Sequence, residues 1–227
     1  MEKILFTKGE RLLHHLILHS YDTPEAIGLF NGMTGIMLVI AHYAGVHKKK
    51  CLESVSDFLL DKIINSITNA DSIYFGNGLA GIGWSIEYLI QNNYMKGCGV
   101  DLTSEIDKQI MQTNIKRITD NGIENGIVGL FHYIIAHIQG AMQQGKKAFD
   151  LQYLEDWHEV LSHKQELYPQ QKQWKLMHET YINALQGSNT YKLDLKQFII
   201  PTQYPPMILL GLQKGLAGYL ELQIQSN

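Results

Sequence analysis

Apolar residues return at three- and four-residue steps along most of the chain, as in Leu12, Leu16 and Ile17 or Phe58, Leu59, Ile63 and Ile67. This is the spacing of one face of an α-helix. Only five of the 227 residues are proline, so few of these runs are interrupted. The pattern predicts helices over 8–20, 32–45, 51–68, 78–93, 104–119, 126–143, 151–164, 170–186, 192–199 and 213–225, which group into five pairs. Three stretches, Met33–Ala44, Leu79–Ile90 and Ile127–Ile138, are apolar almost all round, whereas Glu105–Thr119 keeps a charged face. Helices without a polar face are buried ones, so an alternation of inner and outer helices is expected.

A glycine phrase opens the inner helices. It reads Gly28-Leu-Phe-Asn-Gly32-Met-Thr-Gly35, Gly76-Asn-Gly78-Leu-Ala-Gly81, Gly122-Ile-Glu-Asn-Gly126-Ile-Val-Gly129 and Gly211-Leu-Gln-Lys-Gly215-Leu-Ala-Gly218. The middle glycines are 46, 48 and 89 residues apart, and the last interval is two periods with one degenerate repeat inside it. Periods of this length belong to stacked helix pairs. The inner helix of the degenerate repeat is expected to start at Tyr168-Pro169, since proline suits a first helical turn. Asn31, Asn77 and Asn125 are expected to cap their helices through the side-chain oxygen. The third glycines, Gly35, Gly81, Gly129 and Gly218, lie one turn inside, where each costs about 1 kcal/mol relative to alanine. Close packing of neighbouring inner helices is the expected compensation.

These phrases, and especially Phe75-Gly-Asn-Gly-Leu-Ala-Gly-Ile-Gly-Trp-Ser-Ile-Glu-Tyr-Leu89, resemble those of the lanthionine synthetase C-like proteins. The resemblance covers about 22–45, 73–95, 121–138 and 208–224. It implies an all-α fold, an α/α toroid of about five helix pairs forming one domain over 1–227, as a small ring or an open arc. In that family the cyclases add a peptide cysteine thiol across a dehydrated serine or threonine, using zinc held by two cysteines and a histidine at the inner-helix entrances. None of the four phrases here contains cysteine or histidine, so no ligand carries over and no metal or cofactor is expected. Cys51 and Cys98 follow their middle glycines by 19 and 20 residues, which places them at the opposite ends of the inner helices, on the order of 20 Å away.

Charge and composition narrow the partners. A net charge of −3 without a basic stripe argues against nucleic-acid binding. Lys48–Lys50 is expected to be a solvated loop run. No stretch reaches the roughly 20 apolar residues of a membrane span, and the first residues lack a signal-peptide apolar block, so a cytoplasmic location is expected. Two cysteines are too few for a disulfide framework.

Candidate ligand-contacting residues follow from the repeat. Asn31, Asn77, Glu124, Asn125 and Lys214 stand at the entrance rim. Trp84, His132 and Glu221 share one repeat position, six after the middle glycine, with Leu38; if that position faces a central cavity His132 and Glu221 could form a polar pair there, and otherwise His132 is a hydrogen-bonded core histidine. Glu87, on an apolar helix, is expected to pair with a neighbouring helix, because an unpaired buried carboxylate costs several kcal/mol. His14, His15 and His19 are expected to be a surface histidine cluster on an outer helix, within which the i, i+4 pair His15 and His19 could share a metal. Three functions stay open at this level. One is a zinc-free or non-catalytic family member binding a peptide or a modifying enzyme. The second is a carbohydrate enzyme using Glu124 and Glu221 as paired carboxylates. The third is an interaction module, a homodimer completing an open arc.

Overall fold

The computed structural model describes residues 7–20, 26–69 and 72–224. Its regular elements are all helical, with no strand among the described residues. In chain order they are α1 (Lys8–Ser20), α2 (Met33–His47), α3 (Lys50–Ser66), α4 (Leu79–Gln91), α5 (Gly99–Leu102), α6 (Ser104–Met111), α7 (Ile127–Gln143), α8 (Leu151–Leu167), α9 (Lys172–Leu185) and α10 (Leu216–Gln223). The chain divides into two compact units, Met1–Asp71 with Asp194–Asn227, and Ser72–Leu193.

In the first unit α2 is the buried helix. Every residue from Met33 to His42 is sequestered, and α2 packs on α3, α10 and α1. α3 buries only one stripe, Ser56, Leu59, Leu60 and Ile63, and leaves the rest to solvent. In the second unit α4 and α7 take the inner role: Leu79–Leu89 is buried without interruption, and α7 packs on α4, α9 and α5. The expected alternation therefore holds for α2 and α3 in the first unit and for α4, α6 and α7 in the second.

Three expected helices differ. The segment 104–119 ends as an α-helix at Met111 and resumes as a 3-10 turn at Ile115–Arg117, because Asn114 accepts the Lys116 N–H with its own side chain. The segment 192–199 reduces to a 3-10 turn at Leu195–Phe198, where Asp194 accepts from the Lys196 N–H in the same manner. Local side-chain acceptors of this kind compete with helical hydrogen bonding. The helix expected to open the degenerate repeat at Tyr168-Pro169 begins instead at Lys172, as α9, and it is not buried all round: Trp174, Met177, Tyr181 and Ala184 form a single buried stripe.

The glycine phrases are self-capping loops. In all four the middle glycine is the N-cap, with an extended backbone and no side-chain cap, so the asparagines before it do not cap. Instead the first helical N–H donates to a carbonyl seven residues upstream, at 2.8 Å for Met33 to Ala26, 2.9 Å for Leu79 to Ser72, 3.0 Å for Ile127 to Asp120 and 2.7 Å for Leu216 to Leu209. The next N–H repeats this from Ala80 to Ile73 (3.1 Å) and from Ala217 to Leu210 (3.0 Å). These donors are therefore taken by the loop itself and do not form an anion-binding rim.

That curl brings backbone where a Cβ would sit. An added Cβ at Gly126 or Gly215 would lie 2.5 Å from the Asp120 or Leu209 carbonyl oxygen. The third glycine needs the same absence of a side chain: Gly35, Gly129 and Gly218 back onto the carbonyls of Leu29, Ile123 and Leu212. The Leu212 Cβ also approaches within 2.7 Å of the Cβ position of Gly35, and the Phe75 Cβ within 2.6 Å of that of Gly129. What these interior glycines accommodate is thus their own entry loop and the adjacent phrase, not a neighbouring inner helix. Adjacent phrases are stitched as well. Gly76 N–H donates to the Glu124 carbonyl at 2.9 Å in the second unit, and Leu212 N–H to the Phe30 carbonyl at 2.8 Å in the first.

Candidate functional site

The paired phrases of the second unit carry a surface of amide, carboxylate and aromatic groups. Asn77 is exposed at its loop tip and donates Nδ2–H to Glu124 Oε1 at 3.2 Å, while Asn125 is exposed beside it. Directly inside lies an ordered chain of aromatic groups. Trp84 Nε1–H donates to the Tyr191 hydroxyl oxygen at 2.9 Å, and that hydroxyl is 2.8 Å from His132 Nδ1. An indole N–H only donates, so the tyrosine oxygen accepts from it, while the direction of the bond to His132 follows the histidine tautomer. Burial pushes the His132 imidazole down to about 4, which keeps it neutral and able to accept at Nδ1. The Phe75 ring packs 5.6 Å from His132 and 6.1 Å from Trp84, edge-on to the latter.

The eight sequence-derived candidates fall into three groups. Asn31, Asn77, Asn125 and Lys214 are exposed at the phrase tips, as the repeat predicts. Glu124 and His132 are half-buried, with Glu124 tied to Asn77 and His132 to Tyr191. Trp84 and Glu221 are 0% and 1% exposed, so neither can touch a ligand. Trp84 instead positions Tyr191. The partner of Glu221 is His42, not His132: His42 Nδ1 sits 2.8 Å and 3.0 Å from the two carboxylate oxygens of Glu221. The Glu124–Glu221 pair nominated for the carbohydrate reading is thereby lost, since a buried carboxylate held by histidine has no access to a sugar.

Sequence reasoning missed Tyr191, which lies outside every phrase, between α9 and the 3-10 turn at Leu195. It also missed a buried ionic cluster in the second unit. Glu87 on α4 pairs across to α7, as expected of a carboxylate on an apolar helix, with His137 Nδ1 at 2.7 Å from Glu87 Oε1. The opposite ring nitrogen, Nε2, lies 3.0 Å from Asp107 Oδ2 on α6. Asp107 also accepts from the Tyr133 hydroxyl and, at 3.1 Å, from the Thr103 hydroxyl, while Gln91 Nε2 donates to Glu87 Oε2 at 2.7 Å. Two small residues make the space: a Cβ at Gly99 or Gly140 would collide with the Glu87 carboxylate. Burial alone would lower the His137 pKa, yet hydrogen bonds to Asp107 and Glu87 overcome it and raise the imidazole to about 9. Histidines 10 and 11 residues beyond a middle glycine, His42 and His137, are polar residues on apolar helices, so the argument that found Glu87 was available for both.

The remaining polar features sit away from the phrases. Cys51 lies in the first turn of α3, beyond the end of the 15-residue α2, and Cys98 precedes α5, beyond the end of α4; both are free thiols. At 1.5 Å per residue α2 separates Cys51 from its phrase by about 20 Å, as the spacing predicts. Lys48–Lys50 is exposed, with Lys48 ending α2 in the left-handed conformation. His15 Nε2 lies 3.0 Å from the Met207 carbonyl, and its ring packs 4.3 Å from that of His19. Among the described residues no group of three or more His, Cys, Asp or Glu side chains is arranged to hold a metal ion, and no helix is long and apolar enough to cross a membrane. No family model, curated protein or solved structure matches the chain.

Proposed function

We propose that this chain is a lanthionine synthetase C-like helical-repeat protein that binds a peptide, or the enzyme acting on it, in a pathway for ribosomally made, modified peptides, without cyclase zinc chemistry at its glycine phrases. The observation that carries the reading is the stitched pair of phrases in the second unit, with exposed Asn77 and Asn125, half-buried Glu124 and the His132–Tyr191 pair beside them. Amide side chains and a neutral imidazole next to aromatic rings suit a peptide backbone better than a phosphate or a carboxylate. The phrases supply neither thiolate nor imidazole at their tips, the feature on which the zinc-free part rests. In the first unit the last phrase likewise hydrogen-bonds to the first, so phrase-to-phrase pairing recurs in both units.

The test uses fluorescein-labelled peptides rich in serine and cysteine, together with counterparts in which serine is replaced by dehydroalanine. Saturable binding in anisotropy, weakened in Asn77→Ala and in Tyr191→Phe, is expected. Absence of binding to either peptide set at millimolar protein would refute the peptide reading.

One observation favours an interaction module alongside. Ile200, Tyr204, Ile208 and Leu209 are 46%, 49%, 86% and 50% exposed within ten residues of the first unit. Exposed apolar clusters mark protein contacts. Light scattering of the wild type and of Ile208→Asp tests it: a concentration-dependent dimer lost in the variant supports the module, and a monomer at every concentration removes it.

A further inference from the structure

Two histidines converge on the surface of the second unit, on helices outside the glycine phrases. His158 on α8 places Nδ1 3.2 Å from Nε2 of His178 on α9, with the rings 5.0 Å apart and tilted by 52°. The other nitrogen of His178, Nδ1, lies 3.0 Å from Gln165 Oε1. An amide oxygen only accepts, so His178 Nδ1 carries the proton and Nε2 presents a lone pair toward His158. The Ser162 hydroxyl stands 3.5 Å from that same nitrogen. Burial, then the neighbouring His158, holds the His178 imidazole below its ordinary value, so the ring is neutral near pH 7.

Two imidazole nitrogens bound to one tetrahedral zinc ion at 2.0–2.1 Å stand about 3.3 Å apart, which is the spacing found here. The outward arrangement matches as well, because a metal-bound histidine typically donates its second N–H to an acceptor that fixes tautomer and orientation. Gln165 occupies that place. We propose that His158 and His178 form a two-imidazole site for a divalent transition-metal ion of the zinc and copper class, with water in the remaining coordination positions. Without the metal, His158 Nδ1–H donates to the His178 lone pair. On binding, the ion takes the place of that proton, and His158 shifts to its Nε2–H tautomer with no net proton released. His178 and Gln165 also line a cleft of about 510 Å³ with Lys175, Glu179, Ile182 and Asn183. The ion cross-links α8 to α9, two helices that already pack together. Neither histidine belongs to a phrase, so the site is independent of the zinc-free reading given to the phrases.

The experiment titrates Zn²⁺ into the full chain carrying His15→Ala and His19→Ala, which removes the i, i+4 pair on α1 as a competing site. Binding is read by competition with a chromophoric chelator and by ¹⁵N imidazole shifts. One bound Zn²⁺ is expected, with His158 Nδ1 and His178 Nε2 moving together. His178→Ala should abolish it, and Gln165→Ala should weaken it about tenfold. Unmoved imidazole resonances at millimolar Zn²⁺ would overturn the proposal, as would binding that survives in a folded His158→Ala/His178→Ala protein. The shift measurement needs no variant at either ligand, so misfolding of one does not obscure the answer.

Discussion

Raising the pH through the His137 transition should loosen α4 and α7 by a calculable amount. The imidazole is fully buried, with Nδ1 on Glu87 and Nε2 on Asp107, and its pKa is raised from 6.5 to about 9. A folded-state pKa above the unfolded one means that the stabilisation is complete below pH 6.5 and disappears as pH rises through about 9. At 1.36 kcal/mol per unit, the change across this window is about 3 kcal/mol. Tyr133 and His132 do not titrate in this window. Tyr133 is pushed well above its ordinary value by burial and by Asp107, and neutral His132 titrates only in acid. Hydrogen exchange followed by mass spectrometry on fragments spanning 79–91 and 127–143 reads the effect locally, without requiring both units to unfold together. Exchange protection there should fall by roughly two orders of magnitude between pH 6 and 9.5, after correction for intrinsic rates. Glu87→Gln retains the side-chain shape but removes one of the two anions; it should lower overall protection and flatten the pH dependence. Equal protection at both ends of the range in the wild type, or an unchanged slope in Glu87→Gln, would show that His137 is not held as an imidazolium.

The glycines offer a paired test by urea denaturation. Gly129→Ala drives a methyl against the Ile123 carbonyl and the Phe75 Cβ and should cost about 2 kcal/mol or more, whereas Gly9→Ala, with open space around it in α1, should stabilise by about 0.5 kcal/mol. Equal midpoints for the two would refute the account of the self-capping loop. A proton NMR titration of His132 should give an apparent pKa near 4, with stability falling as pH drops from 6.5 toward that value. A midpoint at or above 6.5 would disprove the neutral, Tyr191-bound imidazole.

Much of this architecture is written into local pattern. The all-round apolar stretches at Met33, Leu79 and Ile127 specify buried helices because no polar face is available to meet water, and the recurring phrase marks where each begins. The placement of the thiols beyond the far ends of α2 and α4 follows from counting residues along a helix. Glu87 was legible for a related reason, since a lone carboxylate on an apolar helix requires a partner. Other features depended on the folded chain. Periodicity cannot distinguish a helix from a 3-10 turn where Asn114 or Asp194 diverts the backbone donors, and it cannot say that glycines curl a loop onto its own carbonyls. Pairing was the least accessible. Equal repeat positions suggested His132 with Glu221, but side chains at equivalent heights still choose partners by direction, and helix packing gave Tyr191 to the first and His42 to the second. Sequence spacing therefore determined which segments are helical and which are buried, whereas only the packed helices decided which polar groups meet, because that depends on side-chain direction across elements far apart in the chain.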